Sequence, residues 1–556
     1  MRRILLLMVP TLLVACGAEA PEPEAVDMLF VDGRIYPMAG NHEPVQALAV
    51  RNGRIVALGT TEGLRQRYQG AERNLAGAML LPGFHDAHVH PQFGGQQLLG
   101  CNLAEATSVQ AIVDTVAACV NAAPPGGWVK GRGWNLSLFE NANPSKALLD
   151  AVSQDRAVFL IGADGHSAWV NSEALRRAEV TASTPDPENG HFERDANGEP
   201  SGTLRETAQF VIERILPPAT PEAQAQALAA GLEYANRHGI TSLIDASVGA
   251  DEVAAYRALE AAGTLHVRAV LSINVTDSMT DGTTRALIDA SDRRKDALVR
   301  VHAAKVFVDG VLEGESAALL EPYASGHTGY LNMAPPRLQQ LVGELDAAGI
   351  QIHMHAIGDR AVRAGLDAIA AARATSERRD NRHHIAHLQL VHPDDWPRFA
   401  ALDVTANFQA TWAFPDGYIT DVNLPAVGQA RVDRMYPIGS MHQAGARLAG
   451  GSDWPVSTVD PLVAIETAVT RQDAVGNVQG VLNAAEAVGL GDILEAYTTN
   501  GAWLMSQEDR VGRLAPGYLA DLVVLDKDLF AVPVSSISEA RVLSTWLAGK
   551  EIYTAP

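Results

Sequence analysis

Apolar and polar positions change period along the chain. Near the N-terminal end, "DMLFVDGRIYPM" from Asp27 and "ALAVRNGRIVALG" from Ala47 are short, β-branched, alternating runs, the pattern of half-buried strands. Asn52-Gly53 divides the second run and predicts a two-residue hairpin turn. At the other end, "GRLAPGYLADLVVLDKD" and "RVLSTWLAGKEIY" carry the same signature. The two ends are therefore expected to build one small β-sandwich domain from residues 27–78 and 509–556.

Between them, apolar strand-like runs alternate with Ala-rich helical stretches. "HGITSLIDAS" follows a helix around 223–237, "GIQIHMHAIGD" follows "RLQQLVGELDAA", and "RHHIAHLQLV" and "GARLAGGSDWPV" continue the series. Repeated β-then-α units predict an α/β fold, a distorted TIM barrel of eight β/α units over 79–508, with chemistry at the C-terminal strand ends. Residues 92–215, rich in turn formers, break the alternation and read as a large insertion after the first barrel strand, placed to shape a substrate pocket.

Charge narrows the function classes. With 43 basic against 65 acidic residues and a net charge of -22, the chain lacks the concentrated Lys and Arg that a nucleic-acid partner needs. Its N-terminus is a separate object: Arg2 and Arg3 precede an apolar run from Ile4 to Leu13, the form of a secretory leader over residues 1–15. "LVACG", Leu13 to Gly17, resembles the lipobox of bacterial lipoproteins, which implies cleavage before Cys16 and lipid on its sulfur. Residues 16–26 then form a solvated tether. The expectation is an exported body, lipid-anchored through Cys16 to a bacterial membrane on the periplasmic side. In that setting Cys101 and Cys119 are either a disulfide or two buried thiols.

Candidate chemistry starts at "LPGFHDAHVHP", Leu81 to Pro91. Strand alternation points His88 and His90 to one face, about 7 Å apart along the strand, a spacing that lets two imidazoles hold one metal. His85, three residues earlier, faces the other way and reads as a supporting residue. His353 and His355 share a face, so His353 competes with His355 as a ligand. His387 and Asp453 each stand where an apolar run gives way to a polar turn.

The ordered motifs "LPGFHDAHVH", "GRGWN", "DGHSAWVNSEAL", "GEPSGTLRETA", "HGITSLIDA", "KVFVDG", "HAIGDRAV", "RHHIAHLQLV", "GSDWPV" and "GRLAPGYLADLVVLD" resemble the amidohydrolase superfamily, and specifically its amidohydrolase family 3 branch. That resemblance implies two divalent metal ions, zinc foremost, with His88 and His90 on one and His355 and His387 on the other. It implies that Lys305 is carboxylated and bridges both, and that Asp453 touches the first metal and moves protons. A carbamate would turn Lys305 from a cation into an anionic ligand, without which a lysine is a poor choice there.

The implied reaction is hydrolysis of the C–N bond of a small, aromatic or apolar N-acyl compound by a hydroxide bridging the metals. Trp134, Asn135, His166, Trp169 and Trp412 are the candidate substrate contacts. Two departures from the family pattern stand out: Ala386 where relatives carry Glu before the ligand histidine, and Trp412 where many carry His. The alternatives are a one-metal deaminase or cyclic-amide hydrolase on the same barrel, and a non-catalytic, membrane-tethered binding lipoprotein. The sequence leaves the oligomeric state open.

Overall fold

A computed structural model describes residues 22–556 apart from 41, 154, 277–285, 287–290, 293, 295 and 376–379. The leader and Cys16 lie outside the described residues. Among these, one eight-stranded sheet comprises β1 (Phe84–Val89), β2 (Ile240–Val248), β3 (Arg268–Asn274), β4 (Val299–Phe307), β5 (Gln351–Ala356), β6 (His384–His387), β7 (Thr405–Phe408) and β8 (Leu448–Gly450). Neighbours follow chain order and every adjacent pair is parallel. Just past the strands, Asp453 N donates to His88 O at 2.7 Å and His90 N donates to Trp454 O at 2.9 Å, which draws the eighth strand toward the first. The result is a nearly closed, TIM-like parallel barrel.

The strands read as near-continuous apolar runs because both faces are covered. All six residues of β1 and all six of β5 are buried. Buried polar residues in these strands therefore need hydrogen-bond partners.

The helix Pro91–Leu99 belongs against the barrel, although the sequence pattern assigns it to the insertion. It packs on the helix Pro221–Arg237 so closely that a Cβ at Gly95 would lie 1.7 Å from Ala227 O. Only glycine permits that approach. The additional sheet starts at Cys101 and runs in the order 190–194, 200–206, 167–170, 157–162, 128–134, 101–102. Cys101 and Cys119 are joined in a disulfide that ties its edge to the helix Val109–Ala122.

The chain ends do come together. Strand Leu522–Leu525 pairs antiparallel with Met79–Pro82, in the register Leu80 with Val524. Met79–Pro82 thus lies in a terminal sheet rather than opening the barrel, and Glu24–Val31 begins inside the stretch read as tether. A second sheet orders 54–59, 47–51, 24–31 and 68–74. Its hairpin turns at Asn52 (φ 53°) and Gly53 (φ 71°), both left-handed, as the Asn-Gly pair predicts. Phe30, Ile35, Leu48, Leu80, Val524 and Trp546 form one buried cluster contributed by both sheets.

One buried ion pair fastens this terminal unit to the base of the barrel. Arg268, first residue of β3, donates from Nε to Asp521 Oδ2 at 2.6 Å, and Ala548 N donates to Asp521 Oδ1 at 2.6 Å. Asp521→Ala leaves the guanidinium buried without its anion and should cost about 3–5 kcal/mol, read as a lower midpoint in denaturant unfolding.

Candidate metal centre

At the C-terminal mouth of the barrel the end of β1 and the loop after β8 converge. His88 Nε2 lies 3.3 Å and His90 Nε2 3.2 Å from Asp453 Oδ1, and ligand atoms of the three residues all fall within 4.8 Å of one another. The backbone holds this arrangement. Asp86 Oδ1 accepts from both His88 N (3.1 Å) and Ser452 N (3.0 Å), tying the two segments together. Gly451 lets them meet, since a Cβ there would stand 2.7 Å from His88 Cβ. Asp453 itself adopts φ 54° and His387 φ 80°, left-handed conformations that cost non-glycine residues of order 1–3 kcal/mol and persist only where surroundings over-determine them.

The donor set fits a divalent cation. Asp453 Oδ1 is buried and, despite the nearby imidazoles, has no hydrogen bond; His90 Nδ1 and both ring nitrogens of His387 are likewise buried without one. Burial alone would raise the Asp453 carboxyl, but the facing His88, His90 and His387 rings hold it well below the usual carboxylate range. Burial, reinforced by Lys305, pushes His88 down to about 3, and burial also drives His355 and His387 well below the ordinary imidazole value. One carboxylate and several imidazoles whose oxygen and nitrogen atoms converge on one point make a donor set of the kind a zinc-type ion takes.

The remaining predicted ligands border this trio. Lys305 near the end of β4 is 1% exposed, with Nζ 3.5 Å from His88 Nε2. Burial pushes its ammonium down to about 7 against the opposing pull of Asp453. His387, closing β6, has Nδ1 3.8 Å from Asp453 Oδ2. The His355 ring lies 4.4 Å from that of His387, and His355 Nε2 is 3.1 Å from Gly310 O. A hydrogen bond to that carbonyl places the proton on Nε2 and leaves Nδ1 as the lone-pair nitrogen. His353, the rival ligand, lies one strand repeat deeper on β5 and engages His88 instead of facing the carboxylate (Nε2 to His88 Nδ1, 2.8 Å). His85 is held by Gly83 O at 3.2 Å.

The proposed substrate contacts divide. Trp412 stacks on His387 with rings 5.6 Å apart and nearly parallel at 9°. His166 comes from the additional sheet to within 5.3 Å of the His355 ring. Burial opposes its protonation, yet the Glu206 carboxylate, 2.8 Å from Nδ1, carries its pKa up to about 9. Trp134 and Trp169, expected as substrate contacts, are instead fully buried in the core of the additional sheet, with their Nε1–H groups donating to Leu160 O and Ser145 O. Wide apolar rings with one local backbone acceptor stabilise that layer and are not offered to a ligand. Asn135 is half-buried and spends its carbonyl on Ser137 N (2.9 Å) and Ser137 Oγ (2.8 Å), capping a short helical turn.

Sequence reasoning gave no role to Glu206 or Asp309. Asp309 accepts from Ala318, Ile357 and Gly358 N–H groups and stands 3.8 Å from His355 Nε2, bracing the loop that carries Gly310. Its only signal was its place in "KVFVDG".

Comparison with known proteins agrees with this geometry. The model of the amidohydrolase family matches residues 71–553. Protein LONG AFTER FAR-RED 3 of Arabidopsis thaliana is 31% identical, over 96% of this chain and 92% of that one. N-substituted formamide deformylase of Arthrobacter pascens is 27% identical, over 94% and 97%. The crystal structure of an uncharacterized metal-dependent hydrolase from Pyrococcus furiosus superposes with a TM-score of 0.69 at 25% identity, covering 90% of this chain and 99% of that one. A parallel barrel whose mouth gathers histidines around an aspartate, matched by the family model over residues 71–553, means that this chain belongs to the amidohydrolase family.

Proposed function

We propose that the chain hydrolyses the C–N bond of small N-acyl compounds at a two-metal centre held by His88, His90, His355, His387, Asp453 and a carboxylated Lys305. The observation that carries this reading is the convergence of His88, His90 and Asp453, with the His387 nitrogens and one Asp453 oxygen buried and unpartnered beside them. Divalent cations bound there would supply Lewis-acid polarisation of the substrate carbonyl and acidify a water molecule. The chain's own residues do the rest. Asp453, ionised before reaction, accepts the proton of the attacking water and hands it to the leaving nitrogen as the C–N bond breaks. Lys305, poised near neutrality in a buried site, can react as the free amine with carbon dioxide to give a carbamate and one proton. Trp412, stacked on His387, offers an apolar wall for the acyl or amine group. The name of the Arthrobacter relative, a formamide deformylase, is consistent with an amide substrate.

One observation favours a second reading. Among the described residues only His88, His90 and Asp453 lie close enough to share one ion as they stand, which suits a one-metal deaminase or cyclic-amide hydrolase. Metal quantification on the purified protein, coupled to a screen of N-acyl amines, N-acyl amino acids and cyclic amides, separates the readings. Two equivalents of metal, a lysine heavier by one carbon dioxide and release of free amine support the first. One equivalent with an unmodified lysine supports the second, and full metal loading without turnover of any amide overturns both. We further infer that Cys16 carries the lipid anchor; detergent-phase partitioning of the full chain, lost in Cys16→Ala, is the expected result.

A further inference from the structure

We infer that His353, backed by Ser272, is a positioning residue that fixes the tautomer and orientation of His88. The inference rests on the metal-binding reading above, but on no particular substrate. His353 on β5 lies across from Lys305 on β4 and His384 on β6, one strand repeat below His355. From there its Nε2 meets His88 Nδ1 at 2.8 Å, while its Nδ1 meets Ser272 Oγ of β3 at 3.1 Å. All three residues are at most 1% exposed, so no water competes for these bonds.

Two proton arrangements satisfy the row, and only one of them leaves His88 Nε2 free for a metal. In that one, His88 Nδ1–H donates to His353 Nε2, and His353 Nδ1–H donates to Ser272 Oγ. His88 Nε2 is then a bare lone pair, the form a metal ligand must present. With both of its nitrogens engaged, His353 has none left for a metal. The ring that competes with His355 by strand parity is therefore disqualified by its hydrogen bonds.

Neighbouring groups hold the row from the side. The His384 ring lies 4.0 Å from that of His353, and Asn407 Nδ2 reaches both Ala87 O (2.9 Å) and His384 Nδ1 (3.2 Å), clamping the strand that carries His88. An imidazole whose far nitrogen is held this way loses less freedom on binding a metal and is a stronger donor.

The test compares zinc affinity, by chelator competition, across wild type, His353→Gln, His353→Leu and Ser272→Ala. Removing such a partner should weaken binding about 10- to 100-fold in His353→Leu. His353→Gln, whose carbonyl can still accept from His88 Nδ1–H, should recover most of that loss, and Ser272→Ala should show a smaller one. In nitrogen-15 spectra, the two His88 nitrogens of wild type should show the Nδ1–H form, with the His353→Leu variant showing mixed tautomers.

Equal losses in the Gln and Leu variants, with Ser272→Ala unchanged, would make His353 a ligand and overturn the proposal, as would wild-type affinity in all three. If His353→Leu fails to fold, Ser272→Ala and His353→Gln decide alone: a small loss in each supports the proposal, and none or a large loss in Gln overturns it. A wild-type chain that takes up no divalent metal refutes the metal reading itself, a result distinct from wild-type binding with indifferent variants.

Discussion

Asp453→Asn should lower kcat by about 10²- to 10⁴-fold, the usual contribution of a positioned proton-transfer group, with kcat/KM falling in parallel. The reason is local. Among the described residues, Asp453 is the carboxylate that faces His88, His90 and His387, and they hold it well below the usual carboxylate range. Asparagine keeps the volume and one oxygen donor but can accept no proton from water. The substitution therefore separates two duties: residual metal content reports its role as ligand, and kcat at saturating zinc reports its role as base. A variant that keeps both full metal and full kcat would remove Asp453 from the mechanism. The left-handed backbone at this position, φ 54°, suits asparagine as well as aspartate, so the fold should survive and melting temperature should change little.

Stripping divalent metal with a chelator should abolish amide hydrolysis, and restoring zinc should return it. Carbonyl polarisation and water activation together are worth several kcal/mol, and at about 1.4 kcal/mol per tenfold the loss should reach a thousandfold or more. Lys305→Met is the companion experiment. Methionine fills the buried space beside Phe307, whose ring lies 4.8 Å from Lys305 Nζ, but cannot form a carbamate. Loss of one metal equivalent from that variant, with His88, His90 and Asp453 still holding the other, is the expected result for a bridging role. Retention of both equivalents would assign the bridge elsewhere.

How far the site could be read in advance depended on the kind of regularity each residue obeys. Parity along β1 separates His88 and His90 from His85, because strand alternation is a local property that needs no knowledge of the partner strand. The same parity could not choose between His353 and His355, which face the same way. What separates them is depth along the barrel and the presence of Ser272 and His88 at the lower level, contributed by strands far apart in the chain. The tryptophans failed for a related reason. Trp134 and Trp169 stand in motifs alongside polar residues, but a ring 0% exposed beside Phe139 is core, and whether a side chain faces a pocket or a neighbouring layer is set by the packing of sheets.

Domain limits show the same division. The Asn52-Gly53 turn and the return of the C-terminal strands were legible because turn chemistry and β-alternation are short-range signals. That Met79–Pro82 joins the terminal sheet, and that the helix Pro91–Leu99 lies on the barrel, depended on contacts with Leu522–Leu525 and Pro221–Arg237.

By itself, then, the sequence determined the repeating β/α order and the paired histidines at one strand end, since both are encoded in residue type and spacing, while Asp453 as the acidic partner was what the family resemblance implied. Only the tertiary structure decided which nitrogens remain free. Gly310 O, His353 and Ser272, drawn from separate strands and loops, accept imidazole N–H groups and so engage one nitrogen of His355 and of His88, leaving the other as the candidate donor at the barrel mouth.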